Sequence, residues 1–183
     1  MRIESLAIPG AFLIQGDLQR DHRGSFMRTF DAAVFARSGL ATTFVQENES
    51  HSLQRHTIRG LHFQAPPHAE TKLVRVASGA LLDVFVDLRV GSPTYGRFEA
   101  VELSAGNARQ LWIPRGCAHG YCTLTDDVVI VYKVDASYSP EAEGGLRWND
   151  PTLGIPWPTS TPILSTKDIN QPLLRDIKSP FTA

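Results

Sequence analysis

Three stretches of this chain share one layout, and it restricts the possible fold more than any other feature. They are "KLVRVASGALLDVFVDLRV" (72–90), "RFEAVELSAGNARQLWIPRG" (97–116) and "CAHGYCTLTDDVVIVYKVDASY" (117–138). Each holds two short runs rich in branched and aromatic residues. Turn formers split the runs, at Ser78-Gly79, Ala105-Gly106-Asn107 and Asp126-Asp127. Short runs with this punctuation read as strands, and several at this spacing read as a sandwich or barrel. One helix signal stands out, "DAAVFARSGL" (31–40), with Asp31 placed to cap its start and Gly39 to end it. Beyond Tyr138 the chain turns proline-rich and irregular, and reads as a segment wrapped around the barrel. At 183 residues the expectation is one domain spanning 1–183, mainly β with a few short helices, its N-terminal segment and C-terminal tail wrapping the barrel.

Charge removes several functions. The 18 Lys and Arg against 19 Asp and Glu leave no basic face for nucleic acid. The longest apolar runs, such as "VVIVY", fall far short of the ~20 residues of a membrane span. "MRIESLAIPGAFLIQG" lacks the apolar core of a signal peptide, so the reading is cytoplasmic, with no membrane partner. Cys117 and Cys122 read as buried thiols, not a disulfide or zinc knuckle.

The polar residues then need placing. "IRGLHFQAPPHAETKLVRV" (58–76) packs ionisable groups among strand residues. Successive side chains on a strand point to opposite faces. Lys72 therefore shares a face with Val74 and Val76, Tyr132 with Val128, Ile130 and Val134, and His62 with Ile58 and Gln64. Taken singly, Lys72 reads as an edge-strand surface residue and Tyr132 as a core tyrosine with a satisfied hydroxyl. On converging faces they suit proton transfer: a histidine base, a tyrosine acid, and a lysine holding an enolate oxygen. Base and acid on opposite faces of one carbon would invert it. "STKDIN" offers Asp168 to orient the histidine, although alone it reads as a helix or turn cap. His68 and Glu70 read as part of a solvated loop.

A metal site is the competing reading. "PRGCAH" (114–119) has the P-x-G-x-x-H shape of the second motif of cupin barrels. The first motif of metal-dependent cupins has two histidines separated by one residue, followed by a glutamate. Here His62 and His68 are six apart and "QAPPH" breaks the strand, so the ligand set is incomplete and no metal is expected. His119 then reads as a histidine at a turn.

Several longer passages occur together: "RGSF", "QENESHS", "IRGLHFQ" with "PPHAETKLVRV", "DVFVDLR" with "GSPTYG", "VELSAGNARQLWIPRGCAHGY", "YKVDASYSP" and "STKD". In this set and order the chain resembles the dTDP-4-dehydrorhamnose 3,5-epimerase family, metal-free cupins of deoxysugar biosynthesis. The likeness runs from "DHRGSFMRTF" to "STKDINQP". It implies a cupin-type double-stranded β-helix, or jelly roll, that inverts C3 and C5 of a nucleotide-linked 4-keto-6-deoxyhexose without cofactor or metal. It makes His62 the base, Tyr132 the proton donor, Asp168 the partner of the histidine, and Lys72 and His119 sugar contacts. Arg59 and Lys167 would meet the diphosphate, and Tyr138 would stack on the base. Arg23, Phe26, Arg28, Gln46, Asn48 and Glu143 match further binding positions. The family is dimeric, which implies a homodimer whose N-terminal segment completes the neighbour's site.

One position departs from the pattern: the family usually has a glutamate where this chain has Arg28. A carboxylate can accept from a base N–H; an arginine only donates. The thymine ring is therefore not expected to be read through residue 28. A 3-epimerase or ketoisomerase on the same barrel, and a non-catalytic sugar-nucleotide binding domain, are the alternatives. The triad His62, Tyr132 and Lys72 argues against the last.

Overall fold

The computed structural model describes residues 1–183. Its strands in chain order are β1 (Arg2–Ser5), β2 (Phe12–Gln15), β3 (Gln19–Asp21), β4 (Gly24–Phe26), β5 (Gln46–Ser52), β6 (Ile58–Gln64), β7 (Lys72–Ser78), β8 (Ala80–Asp87), β9 (Phe98–Ser104), β10 (Arg109–Ile113), β11 (Cys117–Thr123), β12 (Val128–Val134) and β13 (Glu143–Gly145). Two short α-helices join them, α1 (Ala32–Arg37) and α2 (Thr166–Ile169). One antiparallel sheet runs β1-β2-β10-β7-β12-β5, and the other β13-β6-β11-β8-β9. They face each other as the jelly-roll barrel that the strand pattern and the resemblance imply.

The turns lie where the sequence puts them, but their halves do not pair. β7 belongs to the first sheet and β8 to the second; β9 to the second and β10 to the first; β11 to the second and β12 to the first. Each short turn is a corner between sheets. Gly79, at φ +75°, turns the first corner where a Cβ would stand 2.6 Å from the Thr125 hydroxyl. The local pairing lies elsewhere, between β8 and β9 from Ala80↔Ser104 to Val86↔Phe98. The loop between them is anchored on Asp87, which is buried. Burial alone would raise this carboxyl, but Arg89 and the Ser92 and Thr94 hydroxyls hold it at about 2.

Strand alternation sorts the apolar side chains into layers. Val74, Val76, Phe85, Leu111 and Ile130 fill the space between the sheets. Leu73 and Trp112 point the other way and, with Ile14, receive Phe35 of α1. Asp31 Oδ1 caps that helix by accepting from Ala33 N at 3.1 Å and Val34 N at 3.2 Å. Burying Phe35 contributes on the order of 2 kcal/mol. On the outer face of the second sheet, Leu61, Val84, Val86 and Ala118 are covered by Leu146, Leu153, Leu174 and Phe181. These four covering residues come from the chain beyond β12. β3 and β4 pair only with each other, and all six of their residues are exposed. No helix is long and apolar enough to cross a membrane.

Candidate active site

The site opens where β6 and β11 come unusually close. A Cβ on Gly60 would meet Gly120 Cα at 2.6 Å and the His119 carbonyl at 2.7 Å, and Gly60 holds φ +118°. Only glycine fits this approach. The ladder register shifts here, from His119↔His62 to Tyr121↔Arg59. Strict alternation would turn Arg59 away from His62. The shift brings both side chains into one cavity of about 460 Å³, which also takes in Lys72, His119, Tyr132, Lys167 and Asp168.

The chain beyond the barrel supplies the carboxylate for His62. Ile58 N donates to the Ile163 carbonyl at 3.0 Å and Ile163 N to His56 O at 2.9 Å, which ties this segment to β6. α2 follows, with Ser165 Oγ accepting from Asp168 N at 3.1 Å. Asp168 Oδ1 then lies 2.5 Å from His62 Nε2, with side chains 4% and 29% exposed. Burial pushes the Asp168 carboxyl up, but the His62 hydrogen bond and charge outweigh it, and the net shift is downward. An ionised Asp168 accepting from Nε2–H leaves the other ring nitrogen of His62 basic.

Lys72 and Tyr132 face inward on β7 and β12, as alternation requires, and are neighbours in that sheet. Lys72 Nζ sits 5.9 Å from the Tyr132 ring centroid. Burial, then the charge of Glu70 and the Tyr121 phenol, raise the Tyr132 pKa despite Arg59. The phenol therefore keeps its proton at neutral pH, as an acid must. Glu70 does not lie in a solvated loop. Its Oε1 is 3.2 Å from Lys72 Nζ, and the two side chains are 13% and 12% exposed. Gln64 Nε2 donates to Glu70 Oε2 at 3.1 Å. His68 is half-buried, its carbonyl accepting from the same amide at 3.1 Å. The solvated-loop expectation misplaced Glu70, because the chain after the exposed Pro66-Pro67 turn folds back onto Gln64. His119 is likewise no turn residue. It lies within β11, buried, with Nε2 at 2.9 and 3.0 Å from the two oxygens of buried Asp83.

The remaining expected residues fall into three groups. Arg59 is fixed in the cavity wall by donating to Ser52 Oγ at 3.2 Å and the His51 carbonyl at 3.1 Å. At the rim, Lys167 pairs with Glu143, and Tyr138 OH donates to Glu143 Oε2 at 3.3 Å. Burial pushes the Glu143 carboxyl up, but Lys167 pulls it below its ordinary value. Gln46 Oε1 accepts from Tyr138 N at 2.7 Å, and the Tyr138 ring is 58% exposed. Asn48 is the register partner of Tyr132. Arg23, Phe26 and Arg28 do not reach the cavity of their own chain. Arg23 is clamped on Asp21 at 2.6 Å, Phe26 is 65% exposed on β4, and Arg28, 68% exposed, pairs with Asp31 at 3.3 Å.

Sequence reading missed Ser50, Ser52 and Tyr121, whose hydroxyls meet at 3.3 and 3.4 Å in the cavity wall. Alternation in "QENESHS" would have found both serines, since Gln46, Asn48, Ser50 and Ser52 share the inner face. Nothing local pointed to Glu70 or Asp83. No cluster of three or more His, Cys, Asp or Glu side chains is arranged to hold a metal ion.

Known proteins resemble this arrangement over almost its full extent. A family model described as dTDP-4-dehydrorhamnose 3,5-epimerase matches residues 5–176. A protein of that name from Sinorhizobium fredii is 49% identical over 182 residues, covering 99% of this chain and 93% of the relative. A crystal structure of dTDP-4-dehydrorhamnose 3,5-epimerase from Bacillus anthracis, with TDP and PPi bound, superposes with a TM-score of 0.92. It is 46% identical, covering 94% of this chain and 99% of that one. A dTDP-6-deoxy-D-glucose-3,5-epimerase from Legionella pneumophila, in complex with dTDP-4-keto-L-rhamnose, gives a TM-score of 0.93 at 38% identity, covering 99% and 97%.

Proposed function

This chain belongs to the dTDP-4-dehydrorhamnose 3,5-epimerase family, and from that premise we propose how its residues invert C3 and C5 of a nucleotide-linked 4-keto-6-deoxyhexose. His62, oriented by Asp168, takes the proton from the carbon next to the C4 ketone through its free ring nitrogen. The electron pair moves onto the C4 oxygen, which Lys72 holds as it becomes anionic. Tyr132 returns a proton to the carbon from the other side, and solvent restores both groups. The sequence repeats at the second carbon. His119, held by Asp83, offers a fixed polar edge to the sugar. Arg59 and Lys167 are the cations for the diphosphate, and Tyr138 offers an exposed ring to the base.

One observation carries this reading: base and acid stand on different sheets across one cavity. His62 comes from β6 of the second sheet and Tyr132 from β12 of the first. A planar enolate between them meets one on each face, which is the requirement for inversion. Turnover in heavy water tests it. Wild type should incorporate deuterium at C3 and C5 as both centres invert. In Tyr132→Phe, exchange should persist while inversion fails. Inversion of both centres at the normal rate in that variant would show that another donor is used.

The same reading includes a homodimer. It is supported by the β3–β4 arm, which pairs with no other strand and carries Arg23 and Phe26 away from its own cavity. Equilibrium sedimentation at the mass of one chain would remove it.

A further inference from the structure

The proton-transfer scheme leaves one withdrawn carboxylate without a part. Glu70 and Lys72 are both mostly hidden from water, and an ion pair there differs from one at the surface. At the surface, side-chain entropy and screening cancel most of its value. Here either partner alone would be a poorly solvated charge. The carboxylate is also tethered. Its Oε1 meets Lys72 Nζ at 3.2 Å and its Oε2 accepts from Gln64 Nε2 at 3.1 Å. Gln64 is itself immobile: it is buried, its Nε2 shares its two N–H among Glu70 and the His68 and Ser137 carbonyls at 3.1 and 3.3 Å, and its Oε1 accepts from Ser139 N at 2.7 Å. Gln64 lies two residues after His62 on the same strand and the same face. One strand thus carries the proposed base and, through two side chains, fixes the lysine.

An ammonium has three donors on a stem with four rotatable bonds. Glu70 occupies one donor and stops the stem from wandering, which leaves two directed donors. We propose that Glu70 is a positioning residue for the epimerisation, holding the Lys72 ammonium at the point where the C4 oxygen turns anionic. The proposal rests on the reading of Lys72 given above. Because the negative Glu70 stands beside the developing charge, Lys72 acts there as an aimed hydrogen-bond donor more than as net positive charge.

The test uses Glu70→Gln, Glu70→Asp, Lys72→Gln and the Glu70→Gln/Lys72→Gln double variant, assayed on dTDP-4-dehydro-6-deoxy-D-glucose. Misplacing an oxyanion donor by about 1 Å can cost ~10²-fold. Glu70→Gln should therefore lower kcat by about 10- to 100-fold while KM stays within about threefold. Glu70→Asp, which keeps the charge but shortens the reach, should fall between it and wild type. Lys72→Gln should lose at least as much as Glu70→Gln, and the double variant no more than Lys72→Gln alone. A full kcat in Glu70→Gln beside an inactive Lys72→Gln overturns the role of Glu70 and leaves that of Lys72 standing. A full kcat in Lys72→Gln overturns both. Additive losses in the double variant overturn positioning through Lys72. If Glu70→Gln does not fold, Glu70→Asp carries the test: an unchanged kcat there overturns the proposal.

Discussion

His62 and His119 face each other across the β6–β11 ladder, and each has a carboxylate on Nε2. The two pairs differ in what surrounds them. Asp168 arrives from the C-terminal segment and leaves His62 29% exposed to the cavity. Asp83 belongs to β8 in the barrel wall, with no exposure, and His119 is 8% exposed. The same bond can therefore serve two ends. Where the cavity reaches the ring, the carboxylate fixes a tautomer and leaves a nitrogen free to take a proton. Where only an edge of a buried ring reaches the cavity, as at His119, the pair is a rigid piece of wall with a polar edge.

Exchanging the histidines should separate these uses most sharply. His62→Ala is expected to lose deuterium exchange at both carbons by ~10²–10⁴-fold or more while still binding dTDP. His119→Ala should retain exchange and show its loss mainly in KM. Equal collapse of exchange in both variants would erase the distinction.

Changing the carboxylates should have the next largest effect. Asp168→Asn is expected to slow turnover by ~10–100-fold, because an amide can present N–H to the ring and fix the wrong tautomer. It should also change the acid side of stability. The folded-state Asp168 carboxyl is held below its ordinary value. Its contribution is present above the unfolded pKa of ~4 and disappears as pH falls through the lowered value. Thermal unfolding of Asp168→Asn should lack that acid-side loss. Asp83→Asn, at a fully buried position, should act first on stability, by about 1–3 kcal/mol, with the smaller effect on kcat. A reversed order would place the reacting histidine on β11.

Arg28→Glu should have the smallest effect, since it touches neither pair. Arg28 is exposed, so its pair with half-buried Asp31 is worth ~1 kcal/mol at most, and preference among dTDP, UDP, CDP and GDP should shift toward dTDP by no more than about fivefold. A strong dTDP preference in wild type that Arg28→Glu leaves untouched would show that residue 28 has no part in choosing the base.

Much of this was legible in the sequence because alternation is a local rule. It put Lys72 and Tyr132 inside, and the capping rule set the start of α1 at Asp31. It failed where the chain breaks its own period. Arg59 and His62 are three apart, so alternation assigns them opposite faces, and only the register shift at Gly60 and Gly120 brings them together. The turns at Ser78-Gly79, Ala105-Gly106-Asn107 and Asp126-Asp127 were visible, but a turn does not announce whether its strands pair or part. Glu70 was missed because it lies outside any strand, where no period exists to say which way a side chain points.

The corner turns have a consequence for how the protein comes into being. No strand that lends a side chain to the cavity pairs with its neighbour in sequence: β5 pairs with β12, β6 with β11 and β13, and β7 with β10 and β12. The strand pairs that frame the site cannot form within a short fragment, because each of them waits for distant chain to arrive. Loop closure of that kind is slow, and it places this barrel among the high-contact-order folders. Competence to bind substrate should therefore appear together with the last of the native structure, in one step and late.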